Sequence, residues 1–202
     1  RCSRDWSSDV CSSDLLALEA GVPLEAVAAA LQETKPRWGR LERVQTAVPA
    51  TVFVDYAHTD DALTNVLTTL KEMAQGRVIV VFGCGGDRDR TKRPLMGRAC
   101  AAAADSLVVT SDNPRTEDPE AIIREILAGV PPGTPLKVEP DRRAAIRRAL
   151  ELSGPGDVVL VAGKGHEPFQ ELGGRTLPID DRLVVAEEAA KLAAEGAGGR
   201  GL

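Results

Sequence analysis

From residue 51 onward, apolar residues fall into two alternating kinds of run. Short stretches rich in β-branched residues occupy 51–57 ("TVFVDYA"), 77–83 ("RVIVVFG"), 106–112 ("SLVVTSD"), 136–140 ("LKVEP") and 157–164 ("DVVLVAGK"). Their length and composition predict strands. Between them lie longer stretches, at 60–74, 94–104, 119–129, 141–152 and 181–195, that read as amphipathic helices. In the first of these, Leu63, Val66, Leu67 and Leu70 are spaced to share one helical face. Strands alternating with helices predict βαβ units and an α/β fold around a mostly parallel sheet of about six strands. "VIVVFG" and "VVLVAG" are apolar throughout, which requires burial on both faces and therefore helices on both sides.

The pattern upstream is different. "LALEAGVPLEAVAAALQET" (16–34) reads as one or two helices, with Pro23 suited to a first turn. "KPRWGRLERV" (35–44) reads as a polar connector, with a domain boundary near residue 36. Residues 1–15 are Ser-rich, repeat "SSD" and resemble the in-frame translation of a sequencing adapter. They are expected to be a disordered artefact and are set aside, as a tag would be. The expected division is 1–15 artefact, 16–36 the tail of a preceding domain, 37–195 the main domain and 196–202 a flexible tail.

Composition narrows the function classes. The 202 residues are 43% hydrophobic and 27% charged, enough for one domain with a real core, or for one domain plus a piece of another. A formal net charge of -5 argues against nucleic acid as the partner, since phosphate binding needs a basic surface. No apolar run approaches the ~18 residues of a membrane span, and no secretory signal opens the chain. The four cysteines are irregularly spaced and form neither a CxxC pair nor a disulfide framework. A soluble cytoplasmic protein is expected.

In parallel sheets ligands bind outside the carboxyl ends of the strands. The unusual polar residues gather there: "DYAH" (55–58), "GCGGDRDR" (83–90), "SDNPR" (111–115) and "GKGHE" (163–167) each close an expected strand. Asp55 suits a ribose hydroxyl or a metal-linked water; its alternative is helix capping, for which Thr59, Asp60 and Asp61 are better placed. His58 is a candidate acid–base group or a structural histidine. In "GCGGDRDRTKRP", Arg88 offers a planar fork to a carboxylate or phosphate; the alternative is a solvated basic loop. Pro94 delays the following helix, so this is not the tight glycine turn of a dinucleotide fold. Pro114 fixes its own φ and biases Asn113 toward extended backbone, which gives Arg115 a defined exit from the rim. Asp112 and Asn113 supply oxygens for an ammonium, so the segment suits a zwitterion; the alternative is an Asx-turn with a surface arginine. In "GKGHE", Gly163 permits close approach and Glu167 neutralises an amine. No GxxxxGK[ST] loop, Ser-His-Asp or Cys-His arrangement, or metal-ligand spacing is present in the sequence.

Taken in order, "GRLE" (39–42), "DYAHTDDAL" (55–63), "VFGCGGDRDRTKRPLMG" (81–97), "TSDNPRTEDP" (110–119), "DRRAAI" (141–146) and "VLVAGKGHE" (159–167) resemble the C-terminal domain of the Mur ligases. Within that family they are most similar to the branch that adds the third residue of the peptidoglycan stem peptide. The resemblance runs from about residue 16 to about residue 195. It implies a Rossmann-like domain that binds the incoming amino acid, preceded by a central ATPase domain, to which 16–36 belong, and by a UDP-sugar domain. ATP and Mg2+ are implied as cofactors, held mainly by the central domain. The implied reaction converts the carboxylate of UDP-MurNAc-L-Ala-D-Glu to an acyl phosphate, which the amine of the amino acid attacks.

The resemblance also assigns residues. Arg88, Asp112, Asn113, Pro114, Arg115, Gly163 and Glu167 match positions that bind the amino acid, with Glu167 on an ammonium. Arg40, Asp55 and His58 match positions that reach ATP. Members that use meso-diaminopimelate carry arginine at the position of Arg115, whereas lysine-using members carry a small residue. The chemistry agrees, because diaminopimelate differs from lysine by one carboxylate. Losing a charge-assisted partner in a desolvated pocket costs roughly 2–5 kcal/mol. An L-lysine-adding relative and a stand-alone amino-acid- or nucleotide-binding module are the alternatives. Asp60 stands where the family usually has proline, a small change at a helix start. The chain alone is expected to be a monomer that binds the amino acid weakly and catalyses nothing.

Overall fold

The structure is a computed structural model that describes residues 17, 19–33 and 39–198. The expected artefact at 1–15 lies outside the described residues. The chain divides into two compact units, residues 1–37 and 38–202. The first contains helix α1 (Leu24–Glu33). Pro23 sits just ahead of α1, where its carbonyl accepts from the N–H groups of Ala26 and Val27.

The second unit is a six-stranded sheet in the order β1 (Glu42–Val44), β2 (Thr51–Asp55), β6 (Val158–Ala162), β3 (Val78–Phe82), β4 (Ser106–Val109) and β5 (Leu136–Val138). Only β1 runs antiparallel to its neighbour; every other pairing is parallel. Helices α2 (Asp60–Met73), α3 (Lys92–Ala103) and α4 (Pro119–Leu127) connect the strands, followed by α5 (Arg142–Leu152) and the C-terminal α6 (Asp181–Gly198). A two-stranded hairpin, β7 (Phe169–Leu172) and β8 (Arg175–Pro178), stands apart from the sheet.

The all-apolar strands have the cause the sequence implied. Val78, Val80 and Phe82 of β3 pack with Leu63, Leu67 and Leu70 of α2, Met96 of α3 and Ile126 of α4. Ile79 and Val81 face the other way, toward Ile146 and Leu150 of α5 and Val184 and Val185 of α6. Each such buried side chain contributes about 1.5–3 kcal/mol relative to exposure. Thr59 caps α2 by accepting from the Ala62 N–H, and Asp118 and Asp141 cap α4 and α5 in the same way.

Several boundaries differ from the sequence expectation. Every strand stops short of its expected polar end, because residues such as Tyr56, Ser111 and Asp112 leave the ladder and form the rim loops. Residues 42–44, read as connector, form β1 by pairing with Val52–Val54. Pro94 does not delay α3: the helix begins at Lys92 and proline occupies its first turn, where the missing N–H has no helical partner to lose. Residues 196–198, expected to be a flexible tail, continue α6.

Candidate functional site

Beyond the carboxyl ends of β2, β3, β4 and β6 lies a cleft of about 360 Å³, near the lower end for small-molecule sites. His58, Arg88, Asp112, Asn113, Arg115, Gly163 and Glu167 all line it, so the rim brings together seven of the candidates. Pro114, Arg40 and Asp55 do not line it. Pro114 faces a separate groove with Ser111 and Leu172. Its carbonyl lies so close to Gly86 that a Cβ there would overlap it, which is why the loop after β3 needs glycine at that point.

The acidic side of the cleft is organised around a lysine. Lys164 is fully buried and donates to Asn113 Oδ1 at 2.8 Å and to the Phe169 carbonyl at 2.6 Å. Burial pulls its pKa down, and the Asp112 carboxylate opposes that shift. The backbone N–H of Glu171 also donates to Asn113 Oδ1, at 3.0 Å. The Asn113 amide is thereby oriented so that Nδ2 donates to Glu167 Oε2 at 3.1 Å. The ammonium that Asn113 Oδ1 accepts is therefore that of Lys164, and with the Glu171 N–H both lone pairs of the oxygen are engaged. Glu167 takes a second hydrogen bond, at 3.3 Å, from the Tyr56 hydroxyl.

Asp112 is the stronger acceptor. It is 9% exposed, and its carboxylate accepts no hydrogen bond from a described residue. Desolvation is the main reason its pKa is raised, with the Arg142 and Lys164 charges opposing. A desolvated, unpartnered carboxylate facing a cleft is stabilised by a cation. Gly163 belongs to the same arrangement: at φ +114, a Cβ would sit 2.5 Å from Asp112 Oδ2.

The basic side contains Arg88 and Arg115. Arg88 is exposed and makes one hydrogen bond, to the Asp87 carbonyl at 3.2 Å. Arg115 Nη1 donates to the Gly86 carbonyl at 2.7 Å, and Nε pairs with Glu171 at 2.9 Å. Two further arginines of the loop are engaged, whereas Lys92 is exposed and lines the cleft. Arg93 is 1% exposed and clamps Glu117 and Glu125, and Arg90 also pairs with Glu125. The solvated-loop alternative therefore fails for Arg93, holds for the exposed Arg90, and leaves Arg88 with an open guanidinium.

Of the three residues expected near a nucleotide, His58 lines the cleft, while Arg40 and Asp55 lie outside it. Asp55 accepts from Leu41 N at 2.6 Å and from Ala57 N at 2.7 Å, and so organises the backbone on either side of β2. His58 Nδ1 lies 2.7 Å from the Tyr56 carbonyl, which can only accept, so Nδ1 donates in this contact. Arg40 lies over the Tyr56 ring at 5.2 Å. Among the described residues no group of three or more His, Cys, Asp or Glu is placed to hold a metal ion, and no helix is long and apolar enough to cross a membrane.

Lys164, Tyr56 and Arg142 escaped sequence reasoning. Arg142 is fully buried; it pairs with Asp181 at 2.7 Å and donates to the carbonyls of Ser111 and Ala162. Those contacts tie the loops after β4 and β6 together beneath the cleft. A lysine between two glycines and an arginine opening a helix both read as surface residues. Only their partners, far along the chain, show otherwise.

Comparison with known proteins agrees with this geometry. The family model described as "Mur ligase, glutamate ligase domain" matches residues 39–165. A UDP-N-acetylmuramoyl-L-alanyl-D-glutamate–2,6-diaminopimelate ligase from Synechococcus elongatus is 53% identical over 173 residues, 83% of this chain and 35% of the relative. One from Solibacter usitatus is 52% identical over 168 residues, 83% of this chain and 34% of the relative. The chain thus spans about a third of the length of these curated relatives. A solved structure of a ligase of that name superposes with a TM-score of 0.72 at 40% identity, covering 92% of this chain and 37% of the other. UDP-N-acetylmuramate–alanine ligase from Thermotoga maritima, at 19% identity and a TM-score of 0.58, covers 92% of this chain and 36% of the other and shares the fold alone. A matched model spanning more than half the chain, carried on a parallel sheet whose rim bears these motifs, means that the chain belongs to the Mur ligase family.

Proposed function

We propose that this chain is the amino-acid-binding part of an ATP-dependent ligase that joins meso-diaminopimelate to UDP-MurNAc-L-Ala-D-Glu. The observation that carries the reading is the pairing of charges in one cleft: open guanidinium edges on Arg88 and Arg115 face the unpartnered carboxylate of Asp112 and the Glu167 carboxylate that Asn113 and Tyr56 hold in place. A diamino diacid presents two groups of each sign and can satisfy both sets. L-Lysine has no second carboxylate and would leave a guanidinium facing an ammonium, at a cost of several kcal/mol.

On this reading, Asp112 and Glu167 hold the ammonium groups, while Arg88 and Arg115 hold the carboxylates. Asn113 keeps Glu167 in place and Lys164 keeps Asn113 in place. Orientation of the nucleophilic amine is the contribution of these residues, because attack requires a defined approach to the acyl carbon. MgATP supplies the phosphoryl group that makes the acceptor carboxylate electrophilic. Arg40, Asp55 and His58 meet only the flank of the nucleotide, and the 202 residues contain no GxxxxGK[ST] loop. The chain alone is therefore expected to bind and not to ligate.

Calorimetric titration of the 202-residue chain tests the reading. Saturable binding of meso-diaminopimelate at least tenfold tighter than that of L-lysine is expected, and equal or reversed preference overturns it. For catalysis, the first two thirds of the Synechococcus elongatus relative are joined ahead of Gly39. MgATP-dependent incorporation of diaminopimelate into UDP-MurNAc-tripeptide is expected from that hybrid.

A further inference from the structure

We infer that Glu171, a hairpin residue outside the cleft, is a positioning residue that sets the specificity of the site by aiming the Arg115 guanidinium. The inference rests on the reading of the cleft as a diaminopimelate site. It starts from a backbone oddity. Arg115 has φ +55, a left-handed conformation that is uncommon for a residue with a Cβ and needs support from its surroundings.

The hairpin supplies that support. Arg115 N donates to the Glu171 carbonyl at 2.9 Å, and Gly173 N donates to the Arg115 carbonyl at 2.8 Å. Together they form an isolated parallel bridge between Arg115 and Leu172. Strand β7 therefore lies against Arg115 on the side away from the cleft, and the Glu171 side chain arrives already in register with the arginine.

That register fixes the side chain. Glu171 Oε2 forms an ion pair with Nε at 2.9 Å, and the Gly86 carbonyl accepts a hydrogen bond from Nη1 at 2.7 Å. A guanidinium is planar, so one hydrogen bond at Nη1 and an ion pair at Nε, made by different elements, restrict both its plane and its rotation. Nη2 and the second Nη1 hydrogen have no partner among the described residues, and they form the end-on edge of the fork. Arg115 lines the cleft whereas Glu171 does not. Gly85 leaves room for this pose, since a Cβ there would be 3.0 Å from Nη1.

The pair is partly exposed, 24% for Arg115 and 41% for Glu171, so its own contribution to stability is small. Its effect lies in binding. Without Glu171 the arginine samples several rotamers, and the ligand must order it on arrival. Ordering one long side chain corresponds to about a three- to tenfold loss of affinity.

The test uses the full 202-residue chain, labelled with nitrogen-15 and titrated with meso-diaminopimelate and with L-lysine. The Arg115 Nε–H resonance is assigned by its loss in Arg115→Lys. Glu171→Gln is expected to move that resonance, to weaken diaminopimelate binding about three- to tenfold, and to change L-lysine binding less than twofold. The thermal midpoint stays within about a degree. Glu171→Asp, which keeps the charge one methylene short, is expected to recover part of the loss. An unmoved Nε–H resonance overturns the inference, as does unchanged or tighter diaminopimelate binding in Glu171→Gln. Absence of diaminopimelate binding by the unaltered chain overturns the site reading itself and the inference with it. The ligand-free resonance keeps the two failures apart.

Discussion

Arg142 and Arg115 stand below and beside the same cleft, and their guanidinium groups are engaged to different extents. Arg142 is fully buried with Asp181: Nε and Nη2 bind the carboxylate, while Nη1 and Nη2 bind strand-end carbonyls. Arg115 is anchored through Nε and Nη1 and keeps its remaining edge open to the cleft. The contrast separates two uses of one chemistry. A guanidinium with every nitrogen engaged inside protein is scaffold, whereas one anchored on two nitrogens with an open edge is prepared for a ligand.

Substitution at each position can break this contrast. Arg142→Met strands the Asp181 carboxylate in the core and is expected to lower stability by about 3–5 kcal/mol in urea unfolding. Pairing it with Asp181→Leu is expected to restore most of that loss. Arg115→Ala is expected to leave stability within about 0.5 kcal/mol and to weaken meso-diaminopimelate binding by about 2 kcal/mol or more, roughly 30-fold. If Arg115→Ala destabilised the chain as much as Arg142→Met, the distinction would collapse.

Two smaller effects sharpen the comparison. Lys164→Met leaves the Phe169 carbonyl without its lysine partner and Asn113 Oδ1 with one donor fewer. It is expected to lower stability by about 1–3 kcal/mol in the same assay and to weaken ligand binding through the released Asn113 amide. Glu117 provides the pH test. Its hydrogen bonds from Arg93, then from the Asp87 N–H, hold its pKa down at about 2 against 4.5 for an ordinary glutamate. A carboxyl with a depressed folded pKa stabilises the fold above its ordinary value, and that contribution fades as pH falls toward the folded value. Glu117→Gln is therefore expected to flatten the loss of stability between pH 4.5 and about 2, read by urea midpoints across that range.

The sequence disclosed most of this molecule where burial is simple. Strands β3 and β6 are apolar on both faces because helices cover both, and their composition states that directly. Strand β1 has three residues, too few to show a period, and exists through its pairing with β2. The β7–β8 hairpin has a local signature in the sequence. Gly173 and Gly174, both at positive φ, form the two-residue turn that joins short antiparallel strands. In the site, residue types at the strand ends identified the cleft, but their depth could not be read. Whether an arginine is buried depends on a partner such as Asp181, 39 residues away from Arg142.

The strand order has a consequence for synthesis. Strands β2 and β3 are consecutive in the chain but not adjacent in the sheet, because β6 lies between them. Until residues 158–162 leave the ribosome, the nascent chain carries two halves of a sheet whose inner edges are unpaired and apolar. Such edges invite association with other chains. Chaperone occupancy is expected to peak on nascent chains that end just before Val158 and to drop once β6 inserts.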